Sequence, residues 1–247
     1  MPDTQTIQFA TPKKYTAEVV NNFHLTHEVA QLDLKIVEPE GFFFTSGQFI
    51  NLQVSPTAYR SYSIVSDYKT PLNISLIVSV GHEGLGANFV KNLKIGDKVG
   101  LIGPSGRFVV PPILLEDLYF ISTGTGLAPH LAMLYKIVDM NTTSRIKFLM
   151  GFRHESDIFM INQLKSFKEK LGNLQYISAI SQPETSFVEM DMVDGRVTDH
   201  INIEKTTKTQ VFLCGNPTMV EDTFILLEKI GVPRENIFSE KFTVMKV

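Results

Sequence analysis

Leu118-Tyr119-Phe120-Ile121-Ser122-Thr123-Gly124-Thr125-Gly126-Leu127-Ala128-Pro129 reads as an apolar strand, a glycine-bearing turn and the start of a helix. The apolar run stops at Ser122, and Leu127, Leu131, Leu134 and Val138 then recur at helical spacing. Strand, tight turn and helix in this order form the opening half of a βαβ unit. Glycine in the turn lets a backbone approach a diphosphate closely, and the free N–H groups of the helix start favour negative charge. Pro129 suits the first helical turn, where a missing donor costs nothing. The stretch is not the G-x-G-x-x-G fingerprint, because Pro129 stands at its sixth position, and by itself it describes a structural turn equally well.

Outward toward the C-terminus, apolar runs alternate with helical segments, the pattern of a parallel sheet. Leu118 to Ser122, Ile146 to Met150, Leu174 to Ile180, Gln210 to Cys214 and Asn236 to Phe238 are its five expected strands. Leu164, Phe167 and Leu171 mark a second helix with Gly172 as its stop, and a third runs from Met219 to Ile230 with Gly231 as its stop. Cys214-Gly215-Asn216-Pro217-Thr218-Met219 follows the fourth strand and precedes that helix. Ligands of open α/β sheets bind beyond the carboxyl ends of strands, so this loop and the one at Gly124 are expected on the same edge. An isolated cysteine is otherwise a small buried hydrophobe.

Outward toward the N-terminus, the period changes to two, as in Leu32, Leu34 and Ile36 interleaved with Asp33 and Lys35. Strands are expected at Tyr15 to Asn22, Val29 to Ile36, Phe49 to Val54, Arg60 to Ile64, Ile74 to Val80 and Lys98 to Ile102, with a short helix near Ala87 to Leu93. Pro111-Pro112 marks the boundary. The chain is therefore expected to be a two-domain β plus α/β protein: an antiparallel six-stranded Greek-key barrel over 1–112, then a five-stranded parallel sheet flanked by helices over 113–247. In the barrel, Arg60-Ser61-Tyr62-Ser63 follows Gly47-Gln48-Phe49. Alternation puts Arg60 and Tyr62 on one face and Ser61 and Ser63 on the other. A guanidinium can clamp a phosphate, a tyrosine can cover an aromatic ring and a serine hydroxyl can donate to a ring nitrogen. A tyrosine in a strand is more often only packing.

Composition narrows the classes. With 247 residues, 43% of them hydrophobic, a substantial core can form. A net charge of -3 and a pI near 6.1 carry no global nucleic-acid footprint. Cys214 is the only cysteine, which excludes an internal disulfide and a cysteine-ligated iron–sulfur cluster built from these residues. The polar N-terminus and the lack of any run near the roughly 18 apolar residues of a span lead to the expectation of a cytoplasmic protein. The sequons at Asn73 and Asn141 are then chance matches. His24 and His27 lack a third ligand, and no metal is expected.

The R-x-Y-S element, the G-Q-F before it, the connector Gly103-Pro104-Ser105-Gly106-Arg107-Phe108, the G-T-G-x-A-P loop and the C-G-N-P-x-M loop occur in one order and together resemble the ferredoxin-NADP reductase superfamily, from about Tyr15 to Phe242. Gly195-Arg196-Val197-Thr198 and the residues from Cys214 to Thr223 look most like bacterial ferredoxin or flavodoxin reductases. The resemblance implies an FAD-binding barrel (FAD rather than FMN) and a domain for NADPH or NADH. By it, Arg60 contacts the flavin pyrophosphate, Tyr62 packs on the isoalloxazine and Ser63 hydrogen-bonds near N5, with Ser61 in the same element. Ile77, Val78 and Ser79 offer backbone to the flavin, and Gly84, Leu85, Gly86 and Ala87 form a second phosphate contact. Relatives usually carry serine or threonine where Ala87 stands, so a hydroxyl contact is lost here.

For the nicotinamide cofactor the resemblance assigns Gly124, Thr125, Gly126 and Pro129 to the diphosphate loop, and Cys214, Gly215, Asn216, Pro217 and Met219 to the nicotinamide side. Ser63 and Cys214 are the residues it sets beside the reacting atoms. Arg153, Ser181 and Arg196 stand where a 2'-phosphate is held, and Gln182 replaces the arginine common in NADP-specific relatives. The implied activity is electron transfer between NAD(P)H and ferredoxin, flavodoxin or another iron–sulfur or FMN carrier on a separate chain, by a monomer. A reductase component of a multicomponent oxygenase, a noncatalytic electron-transfer subunit and a free-flavin reductase remain open beside it. Lys91, Lys94 and Lys98 can face an acidic carrier or simply water. Glu240-Lys241-Phe242 matches an E-x-F pattern near the flavin of relatives, and there is no terminal tyrosine to stack on it.

Overall fold

Period-two alternation over the first hundred residues yields six antiparallel strands in the computed structural model, which describes residues 7–184 and 191–241. They are β1 (Lys13–His24), β2 (Val29–Glu38), β3 (Phe49–Ser55), β4 (Ala58–Ser63), β5 (Asn73–Ser79) and β6 (Lys98–Ser105), in the spatial order β4-β3-β6-β1-β2-β5. An antiparallel bridge between Ile64 and Leu76 joins the two edges, β4 and β5, and curls the sheet toward closure. The inward residues are almost all aliphatic: Leu32, Leu34, Ile50, Leu52, Ile74, Leu76 and Leu101 are fully buried.

The short helix α1 (Leu85–Asn92) starts two residues before its expected position. Its carboxyl end is capped from β1, where Asn22 Nδ2 donates to the carbonyls of Val90 (2.8 Å) and Leu93 (3.1 Å). Gln48 is buried and stitches two of the motifs together. Its Oε1 accepts from Thr45 N at 2.9 Å, and its Nε2 donates to the Gly106 carbonyl at 3.1 Å. G-Q-F and G-P-x-G-x-F are thus joined by a hydrogen bond within the barrel half.

The remaining strands are parallel: β7 (Asp117–Thr123), β8 (Arg145–Phe152), β9 (Leu174–Ile180), β10 (Met192–Asp194), β11 (Thr209–Gly215) and β12 (Ile237–Lys241), ordered β10-β9-β8-β7-β11-β12. The sheet has six strands rather than five. The extra one, β10, is three residues long and too short to show a period, and it is recognisable only by its pairing with β9. Helices α2 (Leu127–Met140), α3 (Ile161–Lys170) and α4 (Pro217–Lys229) accompany these strands. Helix α3 ends with Leu171 as its cap, one residue before Gly172, and α4 stops at Ile230 just before Gly231.

Register brings Phe148, Phe120, Phe212 and Phe238 into one row across β8, β7, β11 and β12. Their rings stack with centroids 5.6, 4.7 and 5.0 Å apart and interplanar angles of 18°, 9° and 12°. His130 of α2 stands edge-on to Phe120 and Phe148. The described residues divide into two compact units: 7–112 together with Leu131–Ile137, and Ile113–His130 together with 138–184 and 191–241. No helix among the described residues is long and apolar enough to cross a membrane.

Candidate functional site

In the barrel half, β4 holds Arg60 and Tyr62 opposite Leu52 and Ile50 of β3, as alternation requires. The first turn of α1 lies directly on these two side chains. A Cβ added at Gly86 would overlap the Tyr62 hydroxyl and come within 3.1 Å of Arg60 Cγ. Burial pushes the Tyr62 phenol up to about 12 against the opposing pull of the Arg60 charge, so the hydroxyl stays protonated near neutral pH. Arg60 Nη1 donates to the Tyr59 carbonyl at 2.8 Å, which anchors one terminal nitrogen of the guanidinium.

Ser63 is 4% exposed, and its Oγ has no hydrogen-bond partner among the described residues. A buried hydroxyl left unsatisfied costs about 1–3 kcal/mol, which a ring acceptor on a bound flavin would remove. Ser61, on the other side of the strand, is exposed and bonds Asn51 Oδ1 at 2.7 Å. Because the Ile64–Leu76 bridge is antiparallel, Ile77, Val78 and Ser79 run back alongside the end of β4. Gly84 caps α1 with extended backbone, Leu85 is exposed, and Ala87 is buried behind Gly86. The fold thus gathers Arg60, Tyr62 and Gly86, and the orphaned Ser63 hydroxyl at the end of the same strand fits an acceptor on a flavin ring.

In the α/β half, β7 and β11 are adjacent, with Ser122 in register with Cys214. Their two loops consequently share one edge, as the strand order anticipates. Thr123 is the residue that locks them, and sequence reading passed over it. Its Oγ1 accepts from Asn216 N at 2.9 Å, and Gly215, at φ 135°, lies so close that a Cβ there would meet Thr123 O at 2.7 Å and N at 2.8 Å. A Cβ at Gly126 would overlap the Cys214 carbonyl oxygen and sit 2.6 Å from Gly215 Cα. Two backbones therefore touch at the start of α2, reached through a short 3-10 turn at Gly124–Gly126, with Pro129 buried in the first helical turn.

Asn216 is the N-cap of α4, its Oδ1 accepting from Thr218 N (2.9 Å) and Met219 N (3.4 Å), and Pro217 takes the first helical position. The amide oxygen of Asn216 is thus already engaged. Met219 Sδ lies 3.6 Å from Thr223 Oγ1. Cys214 is fully buried, and burial followed by the nearby Glu240 carboxylate pushes its thiol well up. At neutral pH it is a small protonated group and not a thiolate.

Arg153 and Ser181 lie at the carboxyl ends of β8 and β9, drawn together by Ser181 N to Phe152 O (3.1 Å) and Gln182 N to Arg153 O (2.8 Å). Arg196 follows β10, its backbone N held by Asp199 Oδ2 at 2.8 Å. Beside them stand His154, Glu155 and Glu184, which sequence reading also passed over; charged residues about thirty positions apart give no local signal. Lys91, Lys94 and Lys98 are exposed, Lys98 opposite Glu18 in the β1–β6 pairing. Phe242 lies outside the described residues.

Residues 16–110 match the oxidoreductase FAD-binding domain family, and residues 120–224 match the oxidoreductase NAD-binding domain family. The toluate 1,2-dioxygenase electron transfer component of Pseudomonas putida is 30% identical, over 92% of this chain and 67% of that protein. The propane 2-monooxygenase reductase component of Rhodococcus jostii is 29% identical, over 89% of this chain and 61% of that protein. The chain thus spans about three fifths to two thirds of the length of these curated relatives. A crystal structure of a ferredoxin NADP+ reductase from Neisseria gonorrhoeae with bound FAD and NADP superposes with a TM-score of 0.77 at 19% identity, covering 94% of this chain and 99% of that one.

Proposed function

Because this chain belongs to the ferredoxin-NADP reductase superfamily, we propose that it is a flavin-dependent oxidoreductase passing electrons between NAD(P)H and a one-electron carrier, ferredoxin or flavodoxin, on a separate chain. The observation that carries the reading is a FAD-binding domain followed by a NAD-binding domain within one chain. We take residues 1–112 as the flavin part and 113–247 as the nucleotide part. The single buried cysteine suits a reducing compartment such as the cytoplasm.

Bound FAD supplies what side chains cannot, the exchange of an electron pair for single electrons. The chain's own work is binding and orientation, and no general acid or base is required. Arg60 and the first turn of α1, Gly84 to Ala87, would hold the pyrophosphate, Arg60 by charge and α1 by backbone N–H groups. Tyr62, neutral and wedged under Gly86, would pack on the ring, and the buried Ser63 hydroxyl would donate to a ring nitrogen. Ile77, Val78 and Ser79 would add backbone contacts. Gly124, Thr125 and Gly126 would take the nucleotide diphosphate where the two backbones meet, with Gly215 and Pro217 shaping the wall and Cys214 contributing a small uncharged group.

A second reading is favoured by the relatives, which are named as the reductase and electron transfer components of a monooxygenase and a dioxygenase. In that case the acceptor is an oxygenase component, and since Cys214 is the only cysteine here, any iron–sulfur centre is ligated elsewhere. Steady-state turnover with ferredoxin, flavodoxin and an oxygenase component, each in excess, separates the readings. The main one expects fastest turnover with ferredoxin or flavodoxin. Turnover confined to the oxygenase component establishes the second instead, and a protein that neither contains nor takes up FAD contradicts both.

A further inference from the structure

We propose that this chain selects NADH against NADPH, because the loops at the ends of β8 and β9 frame the adenosine ribose with pinned carboxylates. The inference rests on the nucleotide-binding reading above. In an open α/β sheet a dinucleotide lies across the point where strand order reverses. Here that point is between β7 and β11, where Gly126 and the Cys214–Gly215 backbone meet. An acidic residue beyond the second strand accepts from a ribose 2'-hydroxyl, whereas an arginine there accommodates a 2'-phosphate. The second strand, β8, is followed by one of each, Arg153 and Glu155.

What surrounds them favours the acid. Both Glu155 carboxylate oxygens accept from Glu184 N at 3.1 Å, tying the β8 loop to the β9 loop. His154 Nδ1 lies 2.9 Å from the Gln182 carbonyl and 3.4 Å from the Glu184 carboxylate, while Asp157 Oδ2 accepts from His154 N at 3.0 Å. Glu155 and Asp157 are therefore fixed by backbone donors and cannot simply swing away. Across 153–157, 181–184 and 194–199 the full charges are five carboxylates (Glu155, Asp157, Glu184, Asp194 and Asp199) against two guanidinium groups, Arg153 and Arg196. A dianionic 2'-phosphate would enter this negative field, and like charges set against one another at an interface are strongly penalised. A 2'-hydroxyl would find acceptors.

Isothermal titration of the FAD-loaded protein with NAD+ and NADP+, and with AMP and adenosine 2',5'-bisphosphate, tests this apart from turnover. NAD+ is expected to bind at least about tenfold more tightly than NADP+, with AMP and the bisphosphate in the same order. The E155Q/E184Q pair is expected to narrow that gap by about tenfold, chiefly by tightening NADP+. Should the pair unfold, Glu184→Gln alone, with its side chain 69% exposed, carries the same readout. Equal or tighter NADP+ binding, or a gap unmoved by the variants, overturns the inference. If the flavin is nevertheless reduced by either nucleotide, the electron-transfer reading stands; if neither nucleotide binds nor reduces it, both fall.

Discussion

The two halves build their candidate sites by different means. On the barrel, the seat is made of side chains: Arg60 and Tyr62 rise from a strand and meet a helix at Gly86. On the parallel sheet, the edge is made of backbone, where Gly126 touches the Cys214 carbonyl and Gly215 touches Thr123. The cores also differ, mainly aliphatic around Tyr15, Phe42 and Phe44 in the barrel and crossed by a stacked row of phenylalanines in the sheet. A side-chain seat can yield when a neighbour grows, because a tyrosine can swing. A backbone edge has nothing to swing, so the same added methyl group is expected to cost more there.

The largest effect is expected at the row itself. Phe120→Ala removes the ring that stacks on both Phe148 and Phe212, and should destabilise the α/β half by about 3–5 kcal/mol in chemical unfolding. Gly126→Ala comes next, at about 3 kcal/mol, and no substitution of the Cys214 side chain should rescue it, because the overlap is with a carbonyl oxygen. Rescue by Cys214→Ala would show that the edge is not built from backbone.

Acid adds a smaller, graded effect confined to the same half. His130 is fully buried between Phe120 and Phe148, and burial lowers its pKa to about 3 from 6.5. Between those values the unfolded chain binds a proton that the folded one refuses, so stability is lost as pH falls, by up to about 1.4 kcal/mol per pH unit. Denaturant midpoints measured from pH 6.5 down to 5, above the carboxylate range, should decline, and His130→Leu should flatten the decline. Smallest is Gly86→Ala, at about 1 kcal/mol, since it need only displace the Tyr62 hydroxyl. Tyr62→Phe should recover most of that cost, and the absence of any recovery would refute a side-chain seat.

These contrasts also mark what was legible in the sequence. Period-two and helical spacing are local, and they located eleven of the twelve strands and all four helices among the described residues; β10 escaped because three residues carry no period. The shared edge of the Gly124 and Cys214 loops followed from both lying at the carboxyl ends of strands in a parallel sheet. What joins distant segments was invisible: the contact of Gly86 with Tyr62, the hydroxyl of Thr123 under Asn216, and the tie between Glu155 and Glu184. Each depends on the packing of segments far apart in sequence. The phenylalanine row is similar, since Phe120 and Phe212 become neighbours only once β11 is laid beside β7.

Anaerobic stopped-flow mixing of the FAD-loaded protein with NADH, and in parallel with NADPH, tests the central claim most directly. The account predicts rapid loss of the yellow flavin absorbance and its return when an oxidised one-electron carrier is added. A flavin that stays oxidised with both nucleotides would contradict it.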